Sequence, residues 1–218
     1  MTFLSLPKRA FASFTLAMML FAVPGAHADQ NEDQRLESAR TLVTAMAEAV
    51  KAAIEADYND DEARIAAVDG LISDYFDFKG ITRYSAGRYW KKASETERSE
   101  YTRLFRMVLT GLAARQFDQL KGLDYTVTDA VSKGKKLVLV TGVMNDPTGA
   151  SADAIVSWRV STPANKPPLI IDVEIENISM LITQQQENTA IIRKNGGKFS
   201  ALIDLLNKTA EDLYTKLA

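Results

Sequence analysis

The N-terminal half of the chain repeats apolar residues at the three- and four-residue spacing of α-helices. This spacing predicts helices over residues 31–56, from about 60 to 76, and over 95–120, each with one apolar face. Asn59-Asp60 has the composition of a helix N-cap, and Ser94 with Glu97 has the spacing of a capping box. Residues 80–90 show no such period, and we expect that segment to be short and irregular.

Between residues 125 and 176 the apolar period changes to two, which is the period of β-strands. Four alternating runs occupy residues 125–131, 135–144, 152–160 and 169–176. Because only short, turn-rich segments separate these runs, they predict an antiparallel meander. The second run is apolar on both faces, which favours an interior place in the sheet.

Alternation also predicts which residues of the third and fourth strands face the core. The residues expected on this inner face are Ala154, Val156, Trp158, Val160, Leu169, Ile171, Val173 and Ile175. Asp172, Glu174 and Glu176 alternate with them, and we expect these carboxylates to face water. Such a cluster is compatible with a metal or glycoside site, but a solvated acidic face is the more common meaning of the pattern.

Two further helices are predicted, over residues 179–194 and 199–217. The first of them ends at Asn195-Gly196-Gly197, a typical helix C-terminal signal. No internal repeat or linker interrupts the chain. The elements therefore predict one α+β domain, in which a four-stranded antiparallel sheet packs against several helices.

Residues 1–28 have the features of a cleavable signal peptide. Lys8 and Arg9 precede an apolar run that is too short to span a bilayer, and Ala26-His27-Ala28 is a small-x-small cleavage pattern. We therefore expect export to the periplasm, with residues 29–218 as the mature domain. Cleavage changes the formal charge from −2 to −4, because it removes two basic residues and no acidic one.

The composition argues against several classes of function. The chain has no cysteine, and its single histidine, His27, lies in the predicted signal peptide. The mature domain therefore has no thiol nucleophile, no imidazole for a catalytic triad and no typical zinc site. We predict no catalytic residue, no metal and no cofactor, and we expect a protein that is not an enzyme. Its mild acidity also argues against a nucleic acid as partner.

Residues 88–92, Arg-Tyr-Trp-Lys-Lys, interleave aromatic and basic side chains. Without a wider basic surface, one such cluster is a weak signal for single-stranded nucleic acid. An aromatic anchor under a loop, a docking patch and a contact for a phosphate headgroup all fit it.

The abundant apolar faces of the helices and the sheet have two interpretations. They form an ordinary close-packed core, or the helices and the sheet stand apart and enclose an apolar cavity for a ligand. Neither composition nor spacing distinguishes the two.

Two blocks of the sequence carry a family resemblance. Residues 75–118, YFDFKGITRYSAGRYWKKASETERSEYTRLFRMVLTGLAARQFD, contain an aromatic-Asp-Phe segment, Gly-Arg-Tyr-Trp, a Ser-x-x-Glu cap and a helix with paired aromatics. Residues 170–192, which include DVEIENISMLITQQQE, contain a strand-to-helix junction. In order and length, the mature chain resembles the MlaC or toluene-tolerance family of periplasmic phospholipid-binding proteins.

The sequence departs from that family's pattern at two places. Asn177 stands where the family usually has glycine, and because asparagine tolerates positive φ we expect the bend to survive. Gln184-Gln185-Gln186 replaces a common Asn-Tyr-Arg, which removes an aromatic group and a cation. Residues 178–184, ISMLITQ, are similar to family members associated with hopanoid pathways. The expected ligand is therefore a phospholipid or a hopanoid-type lipid.

The resemblance implies a carrier that encloses acyl chains. It also implies two partners, an outer-membrane lipoprotein complex and an inner-membrane ABC transporter with a substrate-binding ring. The residues we expect to line the lipid cavity are Phe105, Leu109, Leu112, Val156, Trp158, Ile171, Val173 and Met180. A histidine-independent enzyme that uses the pocket, and a chaperone for hydrophobic protein segments, are the alternatives.

Overall fold

The computed structural model describes residues 26–149 and 152–215. Residues 1–25 of the predicted signal peptide therefore lie outside the described residues. The elements in chain order are α1 (Ala26–Glu55), α2 (Asp61–Tyr75), α3 (Phe78–Ser85), α4 (Glu95–Leu120), β1 (Asp124–Ser132), β2 (Leu137–Asn145), β3 (Ala154–Ser161), β4 (Leu169–Ile175), β5 (Ile178–Ser179), α5 (Met180–Lys194) and α6 (Ser200–Thr215).

Side-chain caps define the starts of α2 and α4, as the sequence predicts. The carboxylate of Asp60 accepts a hydrogen bond from the Ala63 amide at 2.8 Å. At α4 both bonds of the capping box are present, because Ser94 Oγ accepts from the Glu97 amide and the Glu97 carboxylate accepts from the Ser94 amide. Each cap satisfies amides that have no partner inside the helix.

The expectation that residues 80–90 are irregular is wrong for most of that segment. Residues up to Ser85 belong to α3, whose start is capped by Asp77 through a 2.9 Å bond from the Gly80 amide. A short 3-10 turn, Gly87–Tyr89, follows, and Gly87 has a φ of +57°. The buried residues of α3 are Thr82 and Ser85, and Phe78 and Ile81 pack against the helix cluster beside them. The helix has only eight residues, which is too short for apolar spacing to establish a period.

The sheet is an antiparallel meander with the order β1-β2-β3-β4-β5. The predicted interior place of β2 is confirmed. The predicted number of four strands is wrong, because the sheet has five. The fifth, β5, is only two residues long, and two residues cannot show an alternating pattern.

A two-residue hairpin turn connects β4 to β5. Its residues, Glu176 and Asn177, have φ values of +50° and +64°. Ile175 on one side pairs with Ile178 on the other. The expected positive φ of Asn177 is therefore confirmed, and the bend is a hairpin turn that lets a strand pass directly into a helix.

An irregularity in the pairing of β3 with β4 changes which residues of β4 share a face. Val160 pairs with Ile170, whereas Arg159 pairs with Asp172. Ile171 is the extra residue of this bulge. Beyond it, Val173 pairs with Trp158 and shares its face, but the predicted face is wrong at its start, where Ile170 is fully buried in place of Ile171.

The outer edge of β4 is covered at both of its ends. At one end β5 pairs with Glu174 and Ile175. At the other end Phe76 forms a parallel bridge with Ile170, and the Asp77 amide donates to the Ile170 carbonyl at 2.9 Å.

Buried apolar residues form three separate clusters. The sheet cluster joins α1 to the strands through Ala39, Val43, Met46, Ala130, Val138, Val140, Val160 and Ile170. The helix cluster joins α3, α4, α5 and α6. It includes Tyr101, Leu104, Phe105, Val108, Ile192, Leu202, Leu206 and Leu213. A small third cluster joins α2 to the C-terminal part of α4 through Val68, Ala114 and Phe117.

Across the part of the chain that the structure describes, no helix combines the length and the apolar character needed to cross a membrane.

Candidate functional site

The eight residues predicted to line a cavity lie in two different parts of the fold. Phe105 and Leu109 belong to the helix cluster, whereas Trp158 packs against the sheet cluster. Val156 is buried and shares the inner face of the sheet with Trp158 and Val173. Leu112 is 45% exposed. Ile171, at the bulge, and Met180, at the start of α5, are both partly buried. The structure thus places Val156, Trp158 and Val173 on one face of the sheet, and Phe105 and Leu109 in the helix cluster.

The packing of α4 explains this separation. The strands pack against α1, α3 and α5, whereas α4 packs mainly against α6 and α2. Leu112 lies one turn after the buried Val108 on the same helix face, yet it is exposed. The apolar stripe of α4 therefore continues beyond the part that the helix cluster covers.

An aromatic group lies on the inner face of the sheet around Trp158. The rings of Phe76 and Tyr125 lie edge-on to the Trp158 ring, at centroid distances of 6.2 and 6.4 Å. The Tyr125 hydroxyl donates to the Val156 carbonyl at 3.2 Å. Burial raises the pKa of Tyr125 to about 12, and the neighbouring Trp158 indole opposes this rise in part.

A glycine provides the space for the Tyr125 ring. Gly142 pairs with Val156 across the strands, and a Cβ at position 142 would overlap the end of the Tyr125 side chain. It would also lie 2.6 Å from the Thr126 carbonyl oxygen. Gly142 is therefore needed for this close approach of ring and backbone.

The junction of β4 and α5 depends on Asp172, whose predicted exposure to water is wrong. The alternation of the strand predicts that this side chain faces water, but the residue is only 4% exposed. Its carboxylate accepts hydrogen bonds from the Ser179 hydroxyl at 2.5 Å and from the Leu181 amide at 2.9 Å. Ser179 Oγ in turn accepts from the Ile182 amide, so it caps α5 as predicted. Asp172 thus ties the sheet to the first turn of α5.

One arginine neutralises part of the acidic face of β4. Arg159 Nη1 lies 3.6 Å from the Asp172 carboxylate and 3.8 Å from that of Glu174. Glu176 accepts from the Ile155 amide at 2.7 Å. The three carboxylates are therefore engaged in structural contacts, and no group of three potential metal ligands occurs among the described residues.

A buried polar network that the sequence pattern does not reveal joins α3, α4 and α5. The Tyr101 hydroxyl lies 2.7 Å from Ser85 Oγ and accepts from Asn188 Nδ2 at 3.0 Å. Asn188 also donates to the Ser85 carbonyl, and Gln184 donates to Asn188 Oδ1. Burial raises the pKa of Tyr101 well above its usual value. The detectable signal was Asn188, a polar residue one turn before the buried Ile192 on α5.

A basic groove runs between the turn after α3 and the outer face of α5. It consists of two adjacent pockets of about 340 and 310 Å³ that share Gly87 and Gln185. Gln185, one of the three glutamines, donates to the Tyr84 carbonyl at 2.9 Å and so holds α5 against α3. The basic residues that line the groove are Arg83, Arg88, Lys91 and Arg193. No acidic residue lines these two pockets, so the groove can attract anions.

Comparisons with known proteins agree with the resemblance seen in the sequence. The model of the MlaC protein family matches residues 40–208. A solved structure, that of the phospholipid-binding protein from Ralstonia solanacearum in complex with a phospholipid, has a similar fold, with a TM-score of 0.68. The two chains are 20% identical, and the similarity covers 80% of this chain and 97% of the other. No curated protein sequence matches the chain.

Proposed function

Because the chain belongs to the MlaC family, we propose that it is a carrier that encloses the acyl chains of a phospholipid. The Ralstonia solanacearum protein of similar fold binds a phospholipid, which supports the proposal. In this proposal the protein performs no covalent chemistry, and the cavity is lined by the residues of α4, β3, β4 and α5 named above.

The separation of the helix cluster from the sheet cluster is the observation that carries the proposal. A protein without an internal ligand gains most by fusing its apolar faces into one core. Here Trp158 and Val173 face inward from the sheet, Leu109 and Leu112 lie on α4, and α4 packs mainly on other helices. In the proposal, these two apolar surfaces hold between them a ligand that is long, flexible and apolar.

The physical need for such a carrier is large. Transfer of a two-tailed lipid into water exposes roughly thirty methylene groups at about 0.8 kcal/mol each, on the order of 25 kcal/mol in total. Lipid therefore does not cross an aqueous compartment unaided at a useful rate. A protein that covers the tails removes most of this cost by binding alone.

The cellular setting is part of the same proposal. Residues 1–28 direct the chain to the periplasm, where it moves lipid between an outer-membrane lipoprotein complex and an inner-membrane ABC transporter with a substrate-binding ring. Such transport would maintain the lipid asymmetry of the outer membrane.

Native mass spectrometry of protein purified from the periplasm without detergent tests the proposal. We expect a stoichiometric adduct with the mass of a phospholipid, identified by lipid analysis of the extract. A polycyclic adduct would keep the carrier mechanism and change the ligand to a hopanoid-type lipid. A mass without adduct, together with no uptake from phospholipid vesicles, would refute the carrier function.

A further inference from the structure

The basic groove between the turn after α3 and the outer face of α5 carries four cations in two pockets. Arg88 and Arg193 line the first pocket, and Arg83 and Lys91 line the second. All four residues are exposed. Among the described residues, none of the four forms an ion pair with a carboxylate. Since the mature domain has a formal charge of −4, the groove is a basic surface on an acidic protein.

The shape of the groove fits an elongated ligand better than a small ion. The two pockets meet at Gly87 and Gln185, and the first continues along α5 past Thr189 to Arg193. Gln185 and Arg193 lie two helical turns apart, about 12 Å along the helix axis. A single phosphate is too small to contact the cations of both pockets, and one solvent-exposed ion pair contributes little to binding. A chain with several anionic groups can pair with all four cations at once.

The floor of the groove is held in place by contacts within the protein. Gly87 has a φ of +57°, and a Cβ there would lie only 2.8 Å from Thr189 Cγ2, so glycine allows the turn to approach α5 closely. The Arg88 guanidinium lies 5.1 Å from the centroid of the Tyr89 ring and donates to its hydroxyl at 3.1 Å. A surface that is already ordered loses little conformational entropy when a partner binds.

The aromatic residues of the groove indicate that the ligand is a protein. Tyr84 is 46% exposed and lines the second pocket together with the half-buried Trp90. Tyrosine, tryptophan and arginine are the residues enriched at protein–protein interfaces and in their most strongly binding positions. A groove also admits an extended polypeptide more readily than the flat surface of a bilayer.

We propose that this groove is the docking site for an acidic, extended segment of a protein partner, whose carboxylates pair with the cations of both pockets. The inference rests on the part of the proposed function that gives the carrier protein partners, and it adds the surface and the chemistry of one contact. Because the mature domain as a whole is acidic, it repels an acidic partner from its other faces. The groove therefore also sets the orientation in which the two proteins meet.

Binding of a labelled synthetic peptide tests the proposal. The probe has two pairs of glutamates separated by Ser-Gly-Ser, so that the inner glutamates lie about 13 Å apart when the peptide is extended. Fluorescence anisotropy at low salt measures its affinity for residues 29–218. We expect the probe to bind about tenfold more tightly than the same peptide with glutamine in place of glutamate, and to weaken as salt is added.

Substitutions at both ends of the groove show where the peptide binds. Arg83→Glu combined with Arg193→Glu should weaken binding about tenfold. The matched control combines Lys133→Glu with Lys135→Glu, two exposed residues between β1 and β2, and changes the net charge by the same amount. It should alter the affinity by less than about twofold, because a distant charge is screened. Arg83→Gln combined with Arg193→Gln, a milder change, should weaken binding by about threefold if the reversed charges prevent folding.

Four results would overturn the docking site. They are equal affinities for the glutamate and glutamine peptides, equal losses in the groove variant and the control variant, and displacement of the peptide by inorganic phosphate beyond the effect of sodium chloride at the same ionic strength. The fourth is co-sedimentation of the wild type, but not of the groove variant, with phosphatidylglycerol vesicles, since the groove would then bind a membrane.

The carrier function is measured separately on the same proteins. Arg83 and Arg193 are not among the predicted lining residues, so the groove variant from the periplasm should show the same phospholipid adduct as the wild type in native mass spectrometry. Absence of the adduct from both proteins would refute the carrier function. An adduct in both proteins, together with equal peptide affinities, would overturn the docking site alone.

Discussion

Replacement of Asp172 by alanine should destabilise the fold by about 3–5 kcal/mol. The buried carboxylate accepts from the Ser179 hydroxyl and from the Leu181 amide, and Arg159 lies 3.6 Å away. Without it, the Leu181 amide has no partner at the first turn of α5. Arg159 then retains only its 3.8 Å contact with Glu174.

The two hydrogen bonds account for most of this magnitude. Each bond to a charged group contributes about 1.5–3 kcal/mol. The ion pair adds less, because the Arg159 side chain is 32% exposed and solvent screens its charge. Asp172→Asn should cost only about 1–2 kcal/mol, since its amide oxygen can still accept from the Leu181 amide.

Urea unfolding of residues 29–218, monitored by circular dichroism at neutral pH, measures these differences. Glu174→Gln is the matched control, because it removes the other carboxylate beside Arg159 on the same strand. It should cost under about 1 kcal/mol. A loss for Asp172→Ala no larger than that of the control would refute the role of Asp172 at the junction.

Three further predictions concern other parts of the fold. Gly142→Ala should lower the free energy of unfolding by about 1–3 kcal/mol, because the new Cβ would overlap the Tyr125 side chain. Gly70→Ala, on a helix with open space around it, should raise the free energy of unfolding by about 0.5–1 kcal/mol. Thermal unfolding of the two variants checks both values. Ser94→Ala removes the side-chain half of the capping box and should lower the unfolding free energy by about 1 kcal/mol in urea. Burial raises the pKa of Tyr101 and Tyr125 above the value near 10 expected in the unfolded chain, so the unfolded state ionises first and stability should fall as pH rises from 10 to 12. Tyr125→Phe should make that fall shallower; equal slopes for the variant and the wild type would contradict this explanation.

All the helices except α3, and most of the sheet, follow from the sequence because their signals are local. Apolar spacing and caps such as Ser94 act within one turn of a helix, and strand alternation acts between neighbouring residues. The positive φ at Asn177 was predictable for the same reason, since it depends on the tolerance of one residue type.

The predictions from the sequence are wrong where contacts between residues distant in sequence determine the position of a side chain. In the sequence, Asp172 has the position of a solvent-facing residue in an alternating strand. Its burial is favourable only because Ser179 and Leu181 donate hydrogen bonds to it. The bulge at Ile171 shifts the inner face of β4 without any glycine or proline to mark it. The polar inner side of α3 is likewise explained by Tyr101 and Asn188, which are distant in sequence. The lining residues of the candidate site stay a prediction.

The covered edge of β4 has a consequence for how the protein behaves in concentrated solution. A free edge strand offers unpaired amides and carbonyls to any other extended chain, and β4 is rich in isoleucine and valine. The short β5 occupies one end of that edge, and the Phe76–Asp77 segment occupies the other. A second molecule therefore finds little length on which to add a strand. We expect these few residues to protect this edge of the sheet, which lies opposite β1, against edge-to-edge aggregation.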